Sequence, residues 1–443
     1  MHIRELAGKT VCILGFGREG RATLEALEKL TPGCEVTIAD QDEEVSPPAA
    51  KHWLQLGTGW LKNLEKFDVI IKSPGIPPSV LRAIHQSTVI TPTQLFFDSI
   101  ADSGAIVIGV TGSKGKSTTA SLIHHILQSA GQRSYLIGNI GSPALSYMSE
   151  ATKGTIFVME MSSYQLMDLT SSPSIAVVTS FFPEHLDYHG SLEAYLEAKK
   201  SIARFQRKED TVFFGADSPG AVEIARESRG RRIPFTAADA PVALSETQLI
   251  GTHNLSNIAA AFLVSQELNV PKEKSVAAIR SFVPLPHRLQ SLGIFGSIEW
   301  VDDAISTTPQ SAIAGLDALG DRVKAMILGG QDRGYDFAPL AERLLGSKVQ
   351  TVILLGQSSK RIVQALNDAG VKIRSFEAKT MEEAVALALK HIHFPSTSPN
   401  PNPSPSPIVL LSPASPSYDL FKNFEQRGDM FKNAVRKLTE KNN

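Results

Sequence analysis

Short aliphatic runs punctuate the chain at residues 11–14, 106–110, 156–161, 175–179, 212–214, 326–328, 352–355 and 408–411. Most run into Gly, Ser or Pro and then into a stretch with helical spacing. Runs that are apolar at every position, rather than at alternate ones, predict strands buried on both faces. Such strands belong to parallel sheets with helices on either side, an α/β fold. No repeat at solenoid spacing is present.

Three blocks separate along this pattern, with expected boundaries at residues 1–94, 95–284 and 285–443. The first opens with a strand, a glycine turn and a helix, and closes near Thr91-Pro92-Thr93. The second opens with the run at 106–110, which leads into another glycine loop. The third begins around Pro284-Leu285-Pro286, because neither proline can continue a helix. The stretch 395–407, rich in Pro, Ser and Asn, reads as an exposed loop insertion inside the third block.

Composition narrows the class. The 443 residues carry 44 Lys plus Arg against 45 Asp plus Glu, a net charge of -1 that gives no pull toward nucleic acid or an anionic membrane. With 42% hydrophobic and 20% charged residues the chain is not globally disordered. Two cysteines, Cys12 and Cys34, make neither a disulfide framework nor a cysteine-rich zinc site. No apolar run reaches bilayer length, and Met1-His2-Ile3-Arg4-Glu5-Leu6 lacks the apolar core of a secretory signal. The expectation is a cytoplasmic multidomain protein, a monomer with no nucleic-acid partner and no membrane span.

The candidate chemistry sits in the turns. Gly15-Phe16-Gly17-Arg18-Glu19-Gly20 joins a strand to a helix, where glycines let the backbone approach a phosphate at the helix N-terminus. Asp40 ends the next strand, about where a ribose-binding acid would sit. A glycine turn that binds nothing is the competing reading. Gly109-Val110-Thr111-Gly112-Ser113-Lys114-Gly115-Lys116-Ser117-Thr118-Thr119 resembles a P-loop, with Val110 in place of the usual first glycine. Its N–H groups would cradle phosphates, Lys116 would reach the terminal ones, and Ser117 or Thr118 would hold Mg²⁺. Glu160 closes a parallel strand and would point a carboxylate at the ligand crevice, where Mg²⁺ takes oxygen ligands. A structural ion-paired acid is the alternative. His185 is equally a metal ligand or a satisfied structural histidine, and Lys199, beside Lys200, reads by itself as a surface lysine.

Taken in order, these segments resemble a known family. The loop at 111–119 is followed by Gly138-Asn139-Ile140-Gly141, Glu160-Met161-Ser162-Ser163-Tyr164-Gln165-Leu166, Glu184-His185-Leu186-Asp187 and Tyr195 with Ala198-Lys199. Then come Gly251, His253-Asn254, Asn257 and Ala260, and His287-Arg288. The set is similar to the Mur ligases, ATP-dependent amide-bond enzymes of peptidoglycan precursor synthesis. The tail, Leu411-Ser412-Pro413-Ala414 with Phe421-Lys422-Asn423-Phe424-Glu425-Gln426-Arg427-Gly428, resembles the glutamate-adding branch.

The resemblance implies a Rossmann-like UDP-binding domain, a P-loop ATPase-like central domain and a Rossmann-like domain that carries the incoming amino acid. Gly15, Gly17, Arg18, Gly20, Asp40, Ser73, Pro74, Gly75 and Asn139 fall on the sugar-nucleotide side. Gly112, Ser113, Lys114, Gly115, Lys116, Ser117, Thr118, Asn254, Asn257, Arg288 and Asp303 fall on ATP. Ser117 or Thr118 with Glu160 is implied to bind one Mg²⁺, and His185 with a carbamylated Lys199 a second. Arg333, Ser417 and Phe424 are implied to hold the glutamate. The implied reaction activates the carboxylate of UDP-N-acetylmuramoyl-L-alanine as an acyl phosphate, which the glutamate amine then attacks. Lys116, His185 and Lys199 are the implied catalytic groups.

Ile305 stands where D-glutamate-adding enzymes commonly carry a lysine, and Arg333 where a second lysine is common. Arg333 keeps a cation able to pair bidentately with a carboxylate, and Ile305 does not. Addition of L-glutamate is therefore the nearest alternative. An NAD-dependent dehydrogenase would explain Gly15–Gly20 and Asp40 but leaves the second glycine loop and Lys199 without a role.

Overall fold

The computed structural model describes residues 1–47, 52–81, 87–184, 186–392 and 406–440. Three sheets follow one another along the chain. The first has the order β3-β2-β1-β4-β5, from β1 (Thr10–Leu14), β2 (Glu35–Asp40), β3 (Trp53–Leu56), β4 (Val69–Lys72) and β5 (Thr88–Ile90), all parallel. The second has the order β11-β10-β9-β6-β8-β7, from β6 (Ile106–Thr111), β7 (Ser134–Gly138), β8 (Ile156–Glu160), β9 (Ile175–Val178), β10 (Thr211–Gly215) and β11 (Arg231–Phe235), again parallel. The third has the order β12-β13-β17-β14-β15-β16, from β12 (Gln290–Phe295), β13 (Ile298–Asp302), β14 (Val323–Leu328), β15 (Thr351–Leu355), β16 (Arg374–Ala378) and β17 (Ile408–Leu411). In that sheet only β12 runs antiparallel, paired to β13 with a register shift between Ser291 and Gly293.

The expected α/β class is what the chain adopts, and each fully apolar run lies in a strand. Every residue of β8, β15 and β17 is buried. Edge strands escaped the apolar pattern for a physical reason. β3, β11 and β16 have a neighbour on one side only and keep exposed residues such as Trp53 and Arg231. Those strands need not be apolar on both faces.

The helices that matter for the site are α1 (Arg18–Leu30), α2 (Pro92–Ile100), α3 (Lys116–Ser129), α4 (Ser163–Leu166), α5 (Leu186–His189), α6 (Leu192–Arg204), α7 (Pro219–Arg226) and α8 (Asn254–Glu267). Thr91-Pro92-Thr93 begins α2: the Thr91 hydroxyl accepts from Gln94 N–H at 3.1 Å, and Pro92 needs no N–H partner in the first turn.

The chain folds into two compact units. One holds Met1–Thr247 and His253–Phe282, and the other holds Gln248–Thr252 and Val283–Asn443. The first two sheets thus share a unit, and one apolar cluster runs through both, from Ile13 and Val36 through Phe96 to Phe157 and Val178. The rings of Phe96 and Phe157 meet edge to face, with centroids 5.3 Å apart. Among the described residues no helix is long and apolar enough to cross a membrane. Of the stretch 395–407, only Ser406 and Pro407 fall within the described residues.

Candidate active site

The second glycine loop leaves the C-terminal end of β6 and enters α3. Gly112 (φ 150°) and Gly115 (φ 86°) both need glycine, since a Cβ would come within 2.0 Å of Thr179 Oγ1 at the first and 2.4 Å of Asn257 Oδ1 at the second. Thr179 Oγ1 donates to Lys114 O at 2.5 Å, and Ser113 N–H donates to Ser180 O at 2.8 Å, so the segment after β9 braces the loop from outside. Lys116 Nζ donates to Gly112 O (2.9 Å) and Ser113 O (2.8 Å). Ser117 and Thr118 are buried at the start of α3. Lys114 pairs with Glu184 at 2.6 Å.

Lys199 is not the surface lysine that its neighbour suggested. It lies on the inner face of α6, 1% exposed, while Lys200 takes the solvent side among Glu197, Glu223 and Glu227. Lys199 Nζ donates to Gly112 O at 3.0 Å and sits 4.8 Å from the centre of the Tyr195 ring. Tyr195 Oη in turn lies 3.1 Å from Ser113 Oγ. Burial first, then the charge of Lys116, pushes the Lys199 amine well below the ordinary lysine range. Glu184 and Glu160 pull the other way, and the net direction makes the amine easier to deprotonate than a solvated lysine.

Glu160 is the last residue of β8 and 1% exposed. Its Oε1 accepts from Asn139 Nδ2 at 2.8 Å, while its Oε2 is buried with no hydrogen-bond partner among the described residues. A buried carboxylate oxygen left unmatched is costly unless something else binds it. A hard cation beside the glycine loop would satisfy that need. Among the described residues no cluster of three or more His, Cys, Asp or Glu could hold a metal by itself. Mg²⁺, which keeps waters and phosphate oxygens in its shell, does not require one. His185 lies outside the described residues. The bond between Asn139 and Glu160 was not legible in the sequence, because their strands β7 and β8 meet only through sheet pairing.

Asn254 and Asn257 open α8, both buried, with Asn257 Nδ2 donating to Asn254 Oδ1 at 2.8 Å and Thr119 Oγ1 donating to Asn257 Oδ1 at 3.2 Å. This pair therefore packs against the phosphate loop.

In the first sheet, the ends of β1 and β4 lie side by side where the strand order reverses, the usual ligand crevice of an open parallel sheet. Gly15 (φ 88°) and Gly20 make a tight turn, since a Cβ on Gly20 would come 2.2 Å from Gly15 O. Gly17 caps α1 with open space beside it, and Gly75 is equally open. Ser73 Oγ donates to Gly15 O at 2.8 Å. Asp40 Oδ2 accepts from Phe16 N–H at 2.6 Å and its Oδ1 from Asp42 N–H at 2.9 Å, so this acid braces the turn itself. Arg18 donates from its guanidinium to Gly141 O, joining the turn to the loop that carries Asn139. Pro74 O accepts from Tyr188 Oη at 3.1 Å.

In the other unit, Arg288 stands between two residues with left-handed backbone, His287 (φ 61°) and Leu289 (φ 43°). Such strain persists only where neighbours impose it. Asp302 Oδ2 lies 2.7 Å from His287 Nδ1, and Asp303 Oδ1 accepts from Leu289 N–H at 3.2 Å. Asp303 Oδ2 also accepts from Ser306 Oγ (2.5 Å) and Ser412 Oγ (2.8 Å). Burial raises the Asp303 carboxyl to about 6 against the opposing pull of these hydroxyls and Arg288. Arg427 is buried between two loops, donating to Ser415 O at 2.9 Å and Ala304 O at 2.8 Å. Ser417 is buried, its carbonyl accepting from Phe421 N–H at 2.9 Å. Phe424 opens the helix Phe424–Glu440, and Arg333 lies 5.7 Å from the Tyr418 ring centre. Tyr418, 61% exposed, carried no signal in the sequence, since an aromatic in a loop is unremarkable there.

Residues 110–241 match the Mur ligase middle domain. The whole chain is similar to a UDP-N-acetylmuramoyl-L-alanine–L-glutamate ligase of Salinispora tropica, 35% identical over 98% of this chain and 99% of that one. It is equally similar to a UDP-N-acetylmuramoylalanine–D-glutamate ligase of Streptococcus mutans, 35% identical over 99% of each. Its fold resembles that of the MurF ligase of Thermotoga maritima in complex with ADP, with a TM-score of 0.59 at 15% identity, over 99% of this chain and 97% of that one.

Proposed function

The chain belongs to the Mur ligase family, and from that premise we propose that it joins D-glutamate to the alanyl carboxylate of UDP-N-acetylmuramoyl-L-alanine, with ATP converted to ADP and phosphate. The observation that carries this reading is similarity to glutamate ligases over nearly the full length of both chains. The convergence of Lys116, Lys199 and the glycine loop supports it from the side of the chemistry.

In this reading residues 1–94 bind the UDP end, 95–284 bind ATP and 285–443 bring the amino acid. A carboxylate oxygen of the acceptor attacks the γ-phosphorus, ADP leaves, and an acyl phosphate forms. The amine of glutamate then attacks the acyl carbon and phosphate departs. The loop N–H groups and Lys116 hold the phosphates in line and offset their charge. Asn139 orients Glu160, which with Ser117 or Thr118 would hold a Mg²⁺. His185 and Lys199 would hold a second, with the Lys199 amine, once deprotonated, taking up CO₂ as a carbamate and releasing a further proton. Mg²⁺ held by these residues would supply positive charge against the transferring phosphoryl group. Asn254 and Asn257 face the nucleoside, and Arg288 and Asp303 meet ATP from the third domain. Arg333, Ser417 and Phe424 receive the glutamate. A cytoplasmic monomer is the acting form.

L-Glutamate is the second reading, favoured by the Salinispora tropica relative and by Ile305. The test is phosphate release from ATP, Mg²⁺ and UDP-N-acetylmuramoyl-L-alanine with each glutamate isomer supplied separately. The D isomer should give the faster rate. No release with either would sink the proposal, and a faster rate with L-glutamate would reverse the stereochemical choice alone. In the same assay Lys199→Ala should abolish release, with partial recovery on adding a short carboxylic acid. Undiminished release would remove the carbamate.

A further inference from the structure

Lys72 ends β4 with its side chain 2% exposed, directly before the Ser73-Pro74-Gly75 turn that faces the crevice of the first sheet. Its Nζ donates to Ile76 O at 2.8 Å, closing the turn from below, and lies 2.8 Å from Asp168 Oδ2. Asp168 belongs to the second sheet's loops, just past α4. The Ser162 hydroxyl caps that helix, accepting from Gln165 N–H at 3.3 Å, so the cap of α4 lies two residues after Glu160. A second tie reaches the same turn from α5, where Tyr188 Oη donates to Pro74 O at 3.1 Å.

The two anchors also hold each other. The Tyr164 ring on α4 meets the Tyr188 ring edge to face at 4.3 Å, and His189 Nε2 lies 2.9 Å from Ser163 Oγ. Burial raises the Tyr188 phenol to about 12, so its hydroxyl remains a donor across the physiological range. The segment carrying Glu160 and the segment that begins after Glu184 thus grip one turn of the first sheet together.

A buried lysine and its carboxylate are an expensive way to join two surfaces, because desolvation offsets much of their attraction. An apolar pair would hold as firmly but without direction. A charge pair that also closes the turn on Ile76 O fixes where the turn sits. We propose that Lys72, Asp168 and Tyr188 are positioning residues that set the acceptor-binding turn of the first sheet at a fixed distance from the phosphoryl-transfer loop of the second. The acceptor is bound by its nucleotide at one end and reacts at its carboxylate at the other, so a slack joint would misplace the reacting oxygen. This inference rests on the ligase reading above.

The test uses the full chain with Lys72→Met and Tyr188→Phe, assayed for ADP release while UDP-N-acetylmuramoyl-L-alanine and ATP are varied in turn. The Asp168 side chain is 28% exposed although its Oδ2 is buried, and Tyr188→Phe deletes a single hydroxyl, so both variants should fold, which their melting temperatures check. KM for the acceptor should rise and kcat fall, together lowering kcat/KM about tenfold or more, with KM for ATP little changed. Wild-type constants for the acceptor in both variants would overturn the proposal. So would equal rises in both KM values alongside a lower melting temperature, which would mark general loosening. A wild-type protein silent with this acceptor would fail the ligase reading instead.

Discussion

Two side chains show how position in the fold decides what a residue is chemically. Lys199 and Lys200 are adjacent in sequence, yet one is sealed against Gly112 O and Tyr195 while the other pairs with three glutamates on the surface. Asp303 is the acidic counterpart. Its carboxyl is raised to about 6 by burial, so the folded protein holds a proton there at pH values where the unfolded chain has released it. Its contribution to stability is therefore greatest below the ordinary carboxylate range and is lost as pH rises to about 6. The loss amounts to roughly 3 kcal/mol. Asp303→Asn cannot take part in that exchange. Urea midpoints measured from about pH 4 to about pH 7 should fall less steeply for the variant than for the wild type. Parallel slopes would show that Asp303 ionises in the fold as it does in water.

At the level of elements, the phosphate loop is made by what surrounds it as much as by its glycines. Gly115→Ala would put a methyl group 2.4 Å from Asn257 Oδ1 at a backbone angle (φ 86°) that side chains disfavour. The expected cost is about 2 kcal/mol, with KM for ATP raised more than the acceptor's. Calorimetric melting and initial rates would check both, and a variant with unchanged ATP use would mean that the loop relaxes freely. Elements also explain what could be read in advance. Interior strands such as β6, β8, β15 and β17 announce themselves because both of their faces must be apolar. The edge strands β3, β11 and β16 do not, and the antiparallel β12 breaks the alternation altogether. The glycine loop and Glu160 are candidates from motif and position, and Lys199 is one from resemblance alone. Asn139 meeting Glu160, Tyr188 meeting Pro74 and Lys72 meeting Asp168 were not legible, because each joins segments 21 or more residues apart.

For the whole molecule, two compact units carry three sheets, and the first two sheets share one core. The unmatched Glu160 Oε2 lies within that first unit. It makes the stability of the unit a function of solution composition. A buried carboxylate oxygen without a hydrogen-bond partner favours any cation that binds it, and binding stabilises the folded unit by mass action, whether or not any reaction follows. The melting temperature should therefore climb with Mg²⁺ concentration even without ATP or acceptor, and return to its starting value on chelation. Glu160→Gln, which keeps an oxygen for Asn139 but carries no charge, should melt no lower than wild type in metal-free buffer and ignore the added ion. A wild-type melting curve indifferent to Mg²⁺ would mean that the cation arrives only with the nucleotide. In that case the buried oxygen waits without a partner between turnovers, and the nucleotide that brings the cation also tightens the fold.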